Sequence, residues 1–145
     1  MFRHALVRVA DSPVAGRGVF AVTALAEGQV AEVAPVLLLH RIEGDQSGTL
    51  ARYVFEWDTD ADDTAYALAL GWGSLFNHSG TPTCQYLRAD DDETIAGLLG
   101  EPYDPAVHGN LAPALVFVMN RAAAPGEELT IDYSGVGDGD FVFPD

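Results

Sequence analysis

The chain contains no lysine: its seven basic residues are all arginines, set against 22 acidic ones. That absence excludes a phosphate-binding loop with its lysine, and equally any Schiff-base or serine–lysine chemistry. The single cysteine, Cys84, excludes an internal disulfide, and four scattered histidines (His4, His40, His78, His108) give it no zinc-site spacing. No metal is expected. No apolar run is long enough to cross a membrane, and the opening Met1-Phe-Arg-His lacks the apolar segment of a signal peptide, so a cytoplasmic protein is expected. The net charge of −15 argues against direct nucleic acid binding, because such a surface repels phosphates, and suits a basic partner such as a cationic protein tail. The same charge would also serve solubility alone, so both readings stand at this point.

What the sequence does contain is a succession of short β-patterned segments within 145 residues, enough for one domain with a real core. Strands are expected over residues 2–9, 52–57, 83–88, 114–119 and 129–133, and 65–70 is an apolar lead-in to the polar turn that follows. Two more, 30–33 and 36–40, are expected to be separated by Pro35. Residues 43–48 and 58–63 read as polar and acidic loops. The Asp-, Gly- and Pro-rich stretch 90–113 reads as a surface excursion with one helical turn. In the segment 52–57 the aromatics Tyr53, Phe55 and Trp57 fall on alternate residues and share one face, suited either to core or to a narrow apolar channel with a polar tip.

Three stretches carry chemistry beyond packing. Gly16-Arg17-Gly18 gives the backbone conformations closed to other residues and lets a ligand approach the main chain; a plain hairpin turn fits it as well. It also matches the dinucleotide string G-x-G-x-x-A, but Pro13 precedes it and β-favouring residues follow, so that fold is rejected. Phe76-Asn77-His78-Ser79 sets a polar turn against apolar Leu75 and Phe76, where its side chains need hydrogen-bond partners from the protein or from a ligand. Glu127-Glu-Leu-Thr-Ile-Asp-Tyr133 closes the patterned part of the chain.

In this order and spacing, these stretches resemble the SET domain, a protein-lysine methyltransferase module, in its small bacterial or viral form without zinc-binding flanks. The resemblance runs from about residue 3 to 133, within a single domain 1–145 whose short tail covers 134–145. It implies a mainly β, β-clip-like fold of several short sheets, with the closing segment threaded beside the Asn-His-Ser strand as a pseudoknot. It implies S-adenosyl-L-methionine as methyl donor, S-adenosyl-L-homocysteine as product, and the lysine of a basic protein as acceptor. Tyr133 takes the catalytic position. Gly16, Arg17, Gly18, Asn77 and His78 take the cofactor-binding ones, with Arg17 itself on the surface. Tyr53, Tyr86, Ile131 and Phe141 are expected at the lysine channel, where Tyr86 and Ile131 bear on how many methyl groups are added.

Such a channel has a protonation problem to solve. A free lysine titrates at about 10.4, so deprotonating it near neutral pH costs about 5 kcal/mol, which an apolar channel beside a sulfonium cation lowers. Two departures from the family pattern, Thr83 where an asparagine is usual and Ala122 where an aspartate often stands, motivate an alternative: a catalytically silent SET-like module that binds a peptide or oligomerises. The oligomeric state is open, a homodimer included.

Overall fold

The structure, a computed structural model, describes residues 6–39, 53–57, 66–100, 104, 106 and 109–133. Glycine, proline and acidic turns cut this chain into short extended pieces. In order they are β1 (Val7–Asp11), β2 (Arg17–Ala21), β3 (Val30–Leu39), β4 (Val54–Glu56), β5 (Tyr66–Ala69), β6 (Asn77–His78), β7 (Cys84–Ala89), the helix α1 (Asp92–Leu99), β8 (Ala114–Met119) and β9 (Glu128–Ile131). One sheet runs β1-β2-β9-β6 and the other β4-β5-β3-β8-β7. The expected mainly β architecture is what the chain adopts. Its one parallel pairing among the described strands sets Asn77 opposite Thr130 and His78 opposite Ile131, so the closing segment lies directly beside the Asn-His strand.

The apolar run of β8 is buried at all six positions because both of its faces are covered. Leu115, Phe117 and Met119 point into one cluster, and Ala114, Val116 and Val118 into another. The first is aromatic: Phe76 stacks on Phe117 at 4.3 Å between centroids, and Phe55 meets Tyr86 edge-on at 4.9 Å. The second is aliphatic and lies under α1, whose Ile95 is fully buried. A side chain buried in either contributes about 1.5–3 kcal/mol.

Two expectations need correction. Pro35 does not break the strand: Val30–Leu39 is a single β3 of ten residues. Its first part pairs with β8 as far as Pro35, and Val36 to Leu39 pair with β5, so the residue without an N–H sits at the handover. Its carbonyl still accepts from the Leu70 N–H at 2.8 Å. The stretch 90–113 holds more than one turn of helix. In α1, Asp91 caps the start by accepting from the Thr94 N–H at 2.7 Å, and Gly100 ends it in the left-handed region at φ 71°. The Asp92 carboxylate then accepts from the N–H groups of Leu111 and Ala112, tying the helix to the approach to β8. The expected loops 43–48 and 58–63, and the tail with Phe141, lie outside the described residues.

Candidate active site

The polar seam between β6 and β9 begins with how β6 is delivered. After β5 a 3-10 turn, Gly73–Leu75, packs between β2 of the first sheet and β3 and β5 of the second. Only glycine fits there, since a Cβ at Gly73 would come within 2.7 Å of the Ala34 and Ala69 side chains. The Trp72 N–H donates to the buried Glu32 carboxylate at 3.0 Å. Ser74 Oγ accepts from the Ala69 N–H at 3.1 Å and donates to the Tyr53 carbonyl at 2.8 Å, which ties the start of β4 to the same turn. Phe76 is then buried against Phe117, and Asn77 emerges with one polar side chain to place.

Asn77 Nδ2 donates toward the carbonyls of Ala15 (3.2 Å) and Arg17 (3.1 Å) and toward Glu128 Oε2 (2.8 Å). Glu128, the first residue of β9, also accepts from Ser12 Oγ at 2.8 Å. The two glycines of the loop make this closure possible. Gly16 sits at φ 48°, and a Cβ on Gly18 would collide with the Glu128 carboxylate and lie 3.0 Å from Asn77 Nδ2. The Arg17 side chain is exposed, as expected, while its carbonyl turns inward. The loop is thus a hairpin turn between β1 and β2 whose inner edge is held by the Asn-His strand. Asn77 Oδ1 has no partner among the described residues, although three acceptors surround the nitrogen of the same amide.

His78 is half exposed, and its Nδ1 accepts from the Tyr133 N–H at 3.0 Å, which requires the ring proton on Nε2. The two rings lie 5.1 Å apart. Tyr133 donates its hydroxyl to the Phe76 carbonyl at 2.6 Å. With its proton so committed, the phenol oxygen offers lone pairs in other directions. Burial pushes the Tyr133 hydroxyl up to about 12, and the nearby Tyr53 and Glu128 add to the shift, so it is a neutral phenol across the physiological range.

Tyr86 is buried in the aromatic cluster against Phe55 and Phe117, yet its hydroxyl has no hydrogen-bond partner among the described residues. Burial, with Asp132 nearby, raises its pKa far above the usual phenol range. A buried hydroxyl left unpaired costs about 1–3 kcal/mol, which sets Tyr86 apart from the apolar rings around it. Ile131 is fully buried opposite His78, and its carbonyl accepts from the Ser79 N–H at 3.0 Å. Tyr53 is largely exposed on the same side as Tyr133. Asn77 therefore abuts Gly18 and bonds the carbonyls on either side of Gly16, and the next residue, His78, meets Tyr133, with Tyr53 nearby; Tyr86 and Ile131 are buried in the cluster beneath.

Both departures from the family pattern have local partners. Thr83 is buried and exchanges bonds with Thr130: the Thr130 N–H donates to Thr83 Oγ1 at 2.8 Å, and the Thr83 N–H to Thr130 Oγ1 at 3.3 Å. A polar tie between β7 and β9 therefore survives without asparagine. Beside Ala122, Arg121 binds the Glu127 carboxylate at 2.7 Å, and that pairing lowers the Glu127 pKa. Ser12, Glu128 and Thr130 were missed by sequence reasoning. Ser12 stood in a plain turn, and the Glu128 side chain meets Asn77 across 51 residues, which no spacing rule anticipates.

No group of three or more potential metal ligands occurs among the described residues. The seam thus joins an asparagine-held glycine loop to a neutral phenol on the neighbouring strand end. Comparison with known proteins gives the family. The SET domain model matches residues 16–134, and the chain belongs to the SET domain family. Over 93 residues it is 30% identical to the histone-lysine N-methyltransferase, H3 lysine-37 specific, of Schizosaccharomyces pombe; the match covers 62% of this chain and 60% of that relative. Among solved structures it is similar to a Plasmodium falciparum protein classed as a candidate histone methyltransferase, with a TM-score of 0.65 over 92% of this chain and 95% of that one. At 16% identity this second likeness is one of fold.

Proposed function

We propose that the chain is a protein-lysine N-methyltransferase that takes S-adenosyl-L-methionine as donor and acts on a basic protein. The reading is supported by one observation above the others: a single asparagine side chain ties the glycine loop to β9, while the neutral Tyr133 phenol is pinned beside it on the Phe76 carbonyl. Family membership and the lysine methyltransferase relative support the same activity.

The donor would supply a sulfonium methyl group for in-line transfer to an amine. The residues present fit such a ligand. Asn77 Oδ1 and the turned-in backbone of Gly16 to Gly18 would hold its amino-acid end, and His78, through backbone and Nε2–H, the neighbouring part. Tyr133 keeps its own proton on the Phe76 carbonyl, so its oxygen can face an electron-poor methyl through C–H···O contacts worth about 1 kcal/mol or less each. Phe55, Phe117 and Tyr86 exclude water from the inner wall, which disfavours an ammonium and favours the neutral amine required as nucleophile. The Tyr86 hydroxyl offers that amine a hydrogen-bond partner. Alignment of the reacting groups between rigid strands then accounts for much of the rate. The Thr83–Thr130 exchange supports this reading over a silent module, because the site of one departure keeps a polar tie to β9.

Calorimetry with S-adenosylhomocysteine, followed by mass spectrometry of basic proteins incubated with labelled donor, tests the proposal. Saturable binding and label on lysine are expected, with association weakening as salt rises because the chain carries −15. Binding without any transfer would leave the silent module, and no binding at all would overturn the donor.

A further inference from the structure

The Asn77 amide has its nitrogen enclosed by three acceptors, and its oxygen meets no partner among the described residues. An amide side chain can rotate by half a turn and exchange those ends, and a site that is to hold a cationic amine cannot use it in both orientations. Two of the three acceptors are main-chain carbonyls of a loop. The third, the Glu128 carboxylate at 2.8 Å, is the shortest of the set and charge-assisted, and it is itself anchored by Ser12 Oγ at 2.8 and 3.0 Å. Were the amide reversed, Asn77 Oδ1 would face a carboxylate and two carbonyls with no hydrogen between them. Glu128 lies at the start of β9, four residues before Asp132, and is wedged against Gly18.

We propose that Glu128 is a positioning residue for donor recognition. Its carboxylate locks the Asn77 amide so that Oδ1 is always the outward acceptor for the α-ammonium of the donor, and it adds a negative charge behind that acceptor. Glu128 acts through Asn77 and not on the reacting atoms. The inference rests on the reading of the site as an S-adenosylmethionine site and adds a selectivity to it: the lock matters for ligands that carry the amino group and not for ligands that lack it.

The test compares S-adenosylhomocysteine with methylthioadenosine, which has the same nucleoside and thioether but no amino acid, by calorimetry on the whole chain. Glu128→Gln introduces a second amide that satisfies Asn77 in either orientation. It is expected to weaken S-adenosylhomocysteine about tenfold while leaving methylthioadenosine within about twofold, the size of one charge-assisted hydrogen bond. An equal loss for both ligands would mean that Glu128 only shapes the loop, and no loss for either that the lock is idle; each overturns the proposal. If the wild-type chain binds neither ligand, it is the donor reading that falls. A second measurement needs no variant. In the isotope-labelled wild-type chain the Asn77 side-chain amide protons should exchange slowly with solvent and stay protected when S-adenosylhomocysteine is added. Loss of that protection on binding would show the amide turning round, against the proposal.

Discussion

The two faces of β8 are one residue apart in sequence and differ in kind. Toward one face Leu115, Phe117 and Met119 join Phe55, Phe76 and Tyr86, and the titratable groups Cys84, Tyr86 and Tyr133 collect there. Toward the other, Ala114, Val116 and Val118 meet Val33, Ala89 and Ile95, all of them aliphatic. A core that has only to hold the fold together is filled most economically by aliphatic groups that ask for no hydrogen bond. The aromatic face carries rigid rings, a phenol without a partner and another aimed at a carbonyl. The difference is chemical: one half of the sheet is closed over by aliphatic groups, and the other by rings that carry hydroxyls.

Truncating the central ring should break the aromatic face outright. Phe117 is fully buried and touches Phe55, Phe76 and Tyr86, so Phe117→Ala should cost about 3–5 kcal/mol in urea denaturation and abolish donor binding. Ile95→Val on the aliphatic face should cost only about 0.5–1.5 kcal/mol and leave binding intact. Equal effects on binding would erase the distinction.

Hydroxyl exchange sharpens it. Tyr86→Phe removes a buried hydroxyl that has no partner and should stabilise the chain by about 1–3 kcal/mol, while changing how many methyl groups are added. Val116→Thr places a hydroxyl in the opposite face and should destabilise by a similar amount, about 1–3 kcal/mol. Destabilisation by both would mean that the Tyr86 hydroxyl is satisfied, and that the aromatic face is ordinary core.

Tyr133→Phe touches function more than folding. Loss of its hydroxyl frees the Phe76 carbonyl, a small cost at a part-buried position, and donor affinity should be unchanged. Single-turnover transfer should fall by about tenfold or more, equivalent to about 1.4 kcal/mol of barrier. An unaltered rate would remove Tyr133 from the mechanism.

Much of this was legible in the sequence because the decisive groups sit in contiguous motifs. Gly16-Arg-Gly18, Asn77-His78 and Tyr133 each fit a plain turn or strand end when taken alone, and only their order along the chain carries the resemblance; the continuous apolar run 114–119 reads as a buried strand, which β8 is. What escaped was of two kinds. Pro35 was read as a break because a strand interior needs every N–H; the structure evades that need by changing partner strands at that residue. Helix α1 did leave a signal, an aspartate three residues before Thr94, then Ile95, Leu98 and Leu99 at helical spacing and Gly100 at the end. The surrounding Asp, Gly and Pro outweighed it. The Glu128–Asn77 and Thr83–Thr130 contacts had no local signature, since each joins strands far apart in the chain.

The smallest effect is also the most diagnostic of where titratable groups are buried. Burial pushes the Cys84 thiol up to about 11, although the Thr83 hydroxyl and Arg121 pull the other way, and it pushes Tyr133 up to about 12. Both are raised above their unfolded values of about 8.5 and 10, so the native state holds these protons more tightly than the unfolded chain does. Stability should therefore be level below about pH 8.5 with respect to these groups and fall as pH rises through the window up to about 12. The fall should be modest, because Tyr133 is only part-buried and solvent screens it. Urea midpoints measured across this range should decline less steeply in Tyr133→Phe and in Cys84→Ala than in the parent. The aliphatic cluster contains no group that titrates there, so Val116→Ala should shift the whole curve downward without altering its slope. A change of slope in that variant would mean that the two faces of β8 share one electrostatic environment after all.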